Sequence, residues 1–98
     1  MSEPVKVQLN GIDWTVISKK PRGKGHIGKC DWEKRELWIA PSLAGIQRFE
    51  CVLHEGLHAQ MPDASEEAVE RMGVELTELL RACGAICSAA ESIQPSEN

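Results

Sequence analysis

The 98-residue chain has no tyrosine, a single phenylalanine and only three histidines. No stretch approaches the roughly 18 apolar residues that a membrane-spanning helix needs, so no membrane partner is expected. The opening residues, Met1-Ser2-Glu3-Pro4-Val5-Lys6, contain no apolar leader segment, and a cytoplasmic protein is the expectation. Internal repeats are absent. Positive charge is in the minority, with 11 Lys/Arg against 15 Asp/Glu and a net charge of -4. That balance argues against the domain as a whole being a nucleic-acid binder.

What is present suits a small globular domain. A hydrophobic content of 42% and a charged content of 27% are ordinary for a soluble protein. The length leaves room for one domain with a modest core, expected over residues 1–91, with a flexible tail at 92–98. Four cysteines (Cys30, Cys51, Cys83, Cys87) have the number for two disulfides. With no secretory signal, and with Cys51 and Cys83 beside apolar residues in helical patterns, reduced thiols acting as small hydrophobes are the better reading. Charge is uneven along the chain. Residues 1–35 hold eight Lys/Arg against four Asp/Glu, and residues 36–98 hold three against eleven.

Val5, Val7 and Leu9 alternate with Lys6 and Gln8; Ile12, Trp14 and Val16 alternate with Asp13 and Thr15. Asn10-Gly11 between them supplies the positive φ of a type I′ turn, so a hairpin over 4–9 and 12–18 is predicted. Residues 19–26, with Pro21, Gly23 and Gly25, read as an exposed, mobile loop. Short strands over 27–32 and 36–40 follow, then Pro41 and Ser42, with Ser42 the expected N-cap. The next helix is predicted over 43–60, with Ile46, Phe49, Leu53 and Leu57 as its apolar stripe and Gly45, Val52, Gly56 and Ala59 as a second face. A further helix is predicted from 66 to 90, with Val69, Met72, Leu76, Leu80, Cys83 and Cys87 on one side. The fold class is α+β: a β-hairpin and short strands, a first helix, then a long C-terminal helix.

The chemistry centres on His54-Glu55-Gly56-Leu57-His58. Histidines four apart on a helix project from one face and can hold one metal ion. Glu55, about 100° further round, can take a proton from a metal-bound water and return it to a leaving amine. The plainer reading of the same residues is two solvent-facing histidines on an amphipathic helix. A zinc site of this kind needs a third protein ligand. Glu66, Glu67 and Glu70, eight to twelve residues after His58, are the candidates, although acids in a first helical turn also favour the helix dipole. Asp63 to Glu66 fits a capping box as well. Helical phase does not choose cleanly among them: Glu66 lies nearest the apolar stripe, whereas Glu67 points almost opposite it.

Ile27-Gly28-Lys29-Cys30-Asp31, Glu36-Leu37-Trp38-Ile39, Val52 to Ala59 and Glu66-Glu67-Ala68-Val69-Glu70 together resemble the small phage- and prophage-encoded HExxH zinc metallopeptidases. These are minimal gluzincin-like zincins, similar in core layout to the ImmA-like and SprT-like peptidases. The resemblance spans roughly residues 5–85. It implies a peptidase with Zn2+ held by His54, His58 and Glu67, Glu55 as general base and acid, and a peptide or protein substrate lying along strand 36–40. It also implies an oxyanion donor. The tyrosine that often serves thermolysin-like enzymes is missing, which leaves His26, Arg22 or Lys24 if the loop folds over the site.

An alternative from another class is a zinc-binding phage regulatory or adaptor module without proteolytic activity. For the basic loop 19–29 (Lys19, Lys20, Arg22, Lys24, Lys29), a solvated surface is the plainer reading and nucleic-acid contact the sharper one. Cys83 and Cys87 are read as packing residues rather than a metal pair, and Trp14, Trp32 and Trp38 as core and strand-face residues.

Overall fold

A computed structural model describes residues 3–86. Its elements are β1 (Val5–Leu9), β2 (Ile12–Ser18), β3 (Gly28–Asp31), β4 (Glu36–Ile39), α1 (Gly45–Gln60) and α2 (Glu66–Ala82). The fold is α+β, with a four-stranded mixed sheet in the order β1-β2-β4-β3 and two helices. Among the described residues no helix is long and apolar enough to cross a membrane.

The hairpin forms at the expected turn. Asn10 and Gly11 take φ of 58° and 76°, and Val7 pairs with Trp14. The Asn10 side chain then donates to the Gln60 carbonyl at 3.2 Å, tying the turn to the last residue of α1. β4 does not simply follow β3 outward: it inserts between β2, to which it is parallel, and β3, to which it is antiparallel. The open edge beside the helices therefore belongs to β3. A peptide along strand 36–40 is ruled out as an added strand, because both edges of β4 are already paired.

Strand alternation sorts the side chains. Val7, Leu9, Ile12, Val16 and Cys30 pack with Trp14, Leu37 and Ala59 on the face covered by α1. Trp32 is 38% exposed and meets Trp14 edge-on, with ring centroids 5.0 Å apart. Trp38 lies on the opposite sheet face.

Helix boundaries differ from the sequence expectations in three places. α1 starts at Gly45 with Ala44 as N-cap and no side-chain cap, so Ser42 does not serve. α2 is capped by Ser65, whose Oγ accepts from the Ala68 N–H at 3.1 Å, and the capping box beginning at Asp63 does not form. The apolar pattern carries α2 to about residue 90, yet the helix ends at Ala82. There Gly84 at φ 76° allows a Schellman closure, with the Ala85 N–H on the Leu80 carbonyl at 2.8 Å. Cys83 consequently sits just past the helix, exposed, whereas Cys87 and the tail 92–98 lie outside the described residues.

The buried lines of the helices also differ. On α1 the most buried residues are Cys51, Glu55 and Ala59; on α2 they are Val69, Gly73 and Thr77. Each line advances by four residues, and each includes a polar or small residue that an apolar count passes over. Leu76 is 37% exposed and Val52 is exposed to the same degree.

Candidate metal centre

α1 places His54 and His58 one turn apart, and their rings meet edge-on with centroids 4.8 Å apart. α2 runs back against α1 and brings Glu66 across both. His54 Nε2 lies 3.1 Å from Glu66 Oε2, and His58 Nε2 lies 2.8 Å from Glu66 Oε1. Glu70 stands one turn further, with Oε1 3.6 Å from His54 Nδ1. One ligand atom from each of His54, His58 and Glu66 falls within 4.8 Å of the others, a group able to hold a metal ion.

The carboxylate at the histidines is thus Glu66, not Glu67. Helical phase explains the difference. Measured from the buried Val69, Glu66 lies about 60° round the helix and Glu67 about 160°. Ser65 caps immediately before Glu66, so this acid occupies the first position of the helix and faces α1. Glu67 is exposed on the other side.

Glu55 occupies the most buried line of α1 and is only 8% exposed. Burial raises its carboxyl from the ordinary 4.5 to about 7; the His58 charge pulls it down and the Glu66 carboxylate pushes it up again. The space it occupies depends on Gly28. A Cβ there would stand 2.6 Å from Cys51 Sγ and 2.8 Å from Glu55 Oε2, distances that no side chain tolerates without a shift. Gly28 therefore lets β3 approach α1 at the general-base candidate. Cys51 also reaches the residue before β3, its thiol donating to the Ile27 carbonyl at 3.5 Å. Burial, and after it the Glu55 charge, pushes the Cys30 and Cys51 thiols up to about 11. Neither is a thiolate near neutral pH, and no disulfide joins Cys30, Cys51 and Cys83.

The site opens onto a cavity of about 350 Å3 between β3, α1 and α2, lined by Gly28, Gln47, His54, Glu55, Glu66 and Glu70 among others. The β3 edge borders it. The Ala40 N–H donates to the Ile27 carbonyl, and the Lys19 N–H to the Ile39 carbonyl. By antiparallel alternation the N–H and C=O of Gly28 and Cys30 then point away from β4, toward the open edge.

The loop expected to supply an oxyanion donor lies elsewhere. Arg22 and His26 line a second cavity, with Lys29 and Trp38. Gln47, two turns before His54, lines the site cavity. Gly28 and Cys51 were also missed as site-shaping residues, and only the Ile27-Gly28 approach to a helix makes them visible.

No protein-family model, curated protein or solved structure matches the chain.

Proposed function

We propose that this chain is a zinc-dependent metallopeptidase. The observation that carries the reading is the convergence of His54, His58 and Glu66 beside the buried Glu55, at the mouth of a cavity bordered by an open strand edge. Two imidazole nitrogens and one carboxylate oxygen fit the donor preferences of zinc, and the cavity adjoins them. When bound, zinc would supply the Lewis acidity that eases deprotonation of water and polarises a carbonyl.

The chain's own residues would divide the remaining work. Gly28 and Cys30 offer backbone donors and acceptors to an extended peptide, holding its scissile carbonyl along the edge. Glu55 takes the proton of the attacking water as the new C–O bond forms. It then delivers that proton to the leaving nitrogen as the C–N bond breaks. Burial raises this carboxyl in the metal-free chain, and a bound cation would pull it back down. Its buried position beside Cys51 excludes bulk water from its inner side.

Metal analysis of the purified protein tests this directly. The expected result is zinc near one equivalent per chain, lost in His54→Ala and in Glu66→Gln. A chain that takes up no zinc would sink the proposal.

A second reading, a zinc-binding phage regulatory or adaptor module without proteolysis, is favoured by one observation. Among the described residues the lining of the site cavity includes Gln47 but no Tyr, Lys or Arg to steady an oxyanion. Glu55→Gln separates the two: it keeps zinc under both, and removes peptide cleavage only under the first.

A further inference from the structure

The outer face of the sheet carries a feature that the metal centre does not use. Trp38 is 9% exposed there, and two ammonium groups share its ring: Lys19 Nζ is 4.1 Å and Lys29 Nζ 4.7 Å from the centroid. Trp38, Lys29, Arg22, His26, Pro21 and Gly28 line a cavity of about 390 Å3. No acidic residue occurs between Asp13 and Asp31. Among the described residues no carboxylate forms an ion pair with Lys19, Arg22 or Lys29. Two acids share this sheet face: Asp31, cross-strand partner of Glu36, and Glu36, whose Oε1 accepts from the Trp38 indole N–H at 2.9 Å.

The loop that presents these cations is organised. Pro21 is buried, Lys20 Nζ donates to the Pro21 and Gly23 carbonyls at 3.3 Å each, and the His26 N–H returns to the Gly23 carbonyl at 3.3 Å. Gly23 at φ 101° and Gly25 at φ 81° make the reversal possible. Arg22 and His26, both exposed, line the cavity from this loop. Like charges gathered on one indole repel, and an anion between them relieves that repulsion. Because the ammonium groups already hold the ring, a stacked base has no free face. A guanidinium fork with two ammoniums calls for a dianion with several oxygens, which a phosphate offers and a single carboxylate does not.

We propose that this outer-face cavity is a phosphate-binding site, taking inorganic phosphate or the phosphate group of a small monoester. Arg22 supplies the fork, Lys29 and Lys19 the point charges, and Trp38 the rigid floor that spaces them.

The test uses the full chain, stripped of metal with a chelator so that phosphate has no zinc to bind. Amide and indole resonances are followed at constant ionic strength during titration with inorganic phosphate, phenyl phosphate or succinate. The expected result is saturable change at the Trp38 indole N–H and at residues 19–29 with both phosphates. Arg22→Gln and Lys29→Gln, both at exposed positions, should each weaken it about tenfold. Glu36→Gln should tighten it by removing a nearby negative charge. Tighter binding of phenyl phosphate than of phosphate assigns an ester; equal binding assigns the free ion. Failure to saturate, equal binding of succinate, or indifference to Arg22→Gln and Lys29→Gln would overturn the proposal. So would binding of a single-stranded oligonucleotide in the absence of any phosphate saturation, which would make the face a nucleic-acid surface.

Discussion

On the helix-covered face of β3, a cavity of about 350 Å3 gathers Glu50, Glu55, Glu66 and Glu70 around His54; on the outer face, one of about 390 Å3 gathers Arg22, His26 and Lys29 around Trp38. Gly28 borders both. The acids of the first cavity all come from residues 36–98 and the cations of the second all from residues 1–35, so an imbalance along the sequence becomes a separation across one strand. The pleat is what keeps them apart, since successive side chains of β3 leave on opposite faces. An acidic wall suits the capture of a metal cation, whereas unpaired cations on a rigid aromatic floor suit an anion.

The comparison can be broken most severely at Glu55. Glu55→Gln should lower peptide cleavage by about 10²–10⁴-fold, the usual worth of a general base, with zinc content unchanged. A peptide-cleavage assay alongside metal analysis checks both parts; cleavage that survives would remove Glu55 from the chemistry.

Ligand changes come next. His58→Ala and Glu66→Gln should weaken zinc binding by more than about 100-fold, beyond the 10–100-fold typical of supporting residues. Glu67→Gln should leave it unchanged. Competition with a chromophoric chelator measures all three, and a loss confined to Glu67→Gln would reverse the assignment of the acid.

The buried carboxyl of Glu55 also makes a statement about pH. Its folded value of about 7 lies above its ordinary 4.5, so the native state holds a proton that the unfolded chain releases. In the zinc-free protein the stabilisation is fully present below pH 4.5 and is lost as pH rises through 7. The size is on the order of 3 kcal/mol. Urea unfolding of wild type and Glu55→Gln from pH 4 to 8 should show that decline only in the wild type.

Gly28 is where the two cavities meet. Gly28→Ala should cost about 1–3 kcal/mol through overpacking against Cys51 and Glu55. Adding Cys51→Ala should recover part of it, a result that denaturant midpoints would read and that strict additivity would contradict. The smallest effect is expected at Ser65→Ala, about 1 kcal/mol from loss of the cap that sets where α2 begins.

Much of this was legible in the sequence because it is local. Asn10-Gly11 placed the hairpin, alternation placed the strands, and the four-residue spacing of His54 and His58 put both rings on one helical face. The acid was half legible. Helical phase does not choose cleanly among the acids; the structure puts Glu66 at the histidines, where the family resemblance points one residue on. The strand order was not legible, since nothing in Glu36–Ile39 announces that it inserts between β2 and β3. Nor was the burial of Glu55 visible, because it needs the approach of Gly28 from a strand 27 residues earlier.

The sequence by itself determined the α+β class, the single-domain scale, the histidine pair and the opposite charges of its two parts, all of which follow from periodicity and composition within a few turns or strands. Only the tertiary structure decided that Glu66 closes on the histidines, that β3 is the edge strand beside the site cavity, and that the basic loop turns to the outer face. Each of those depends on how separate elements dock, and docking is fixed by contacts between residues far apart in the chain.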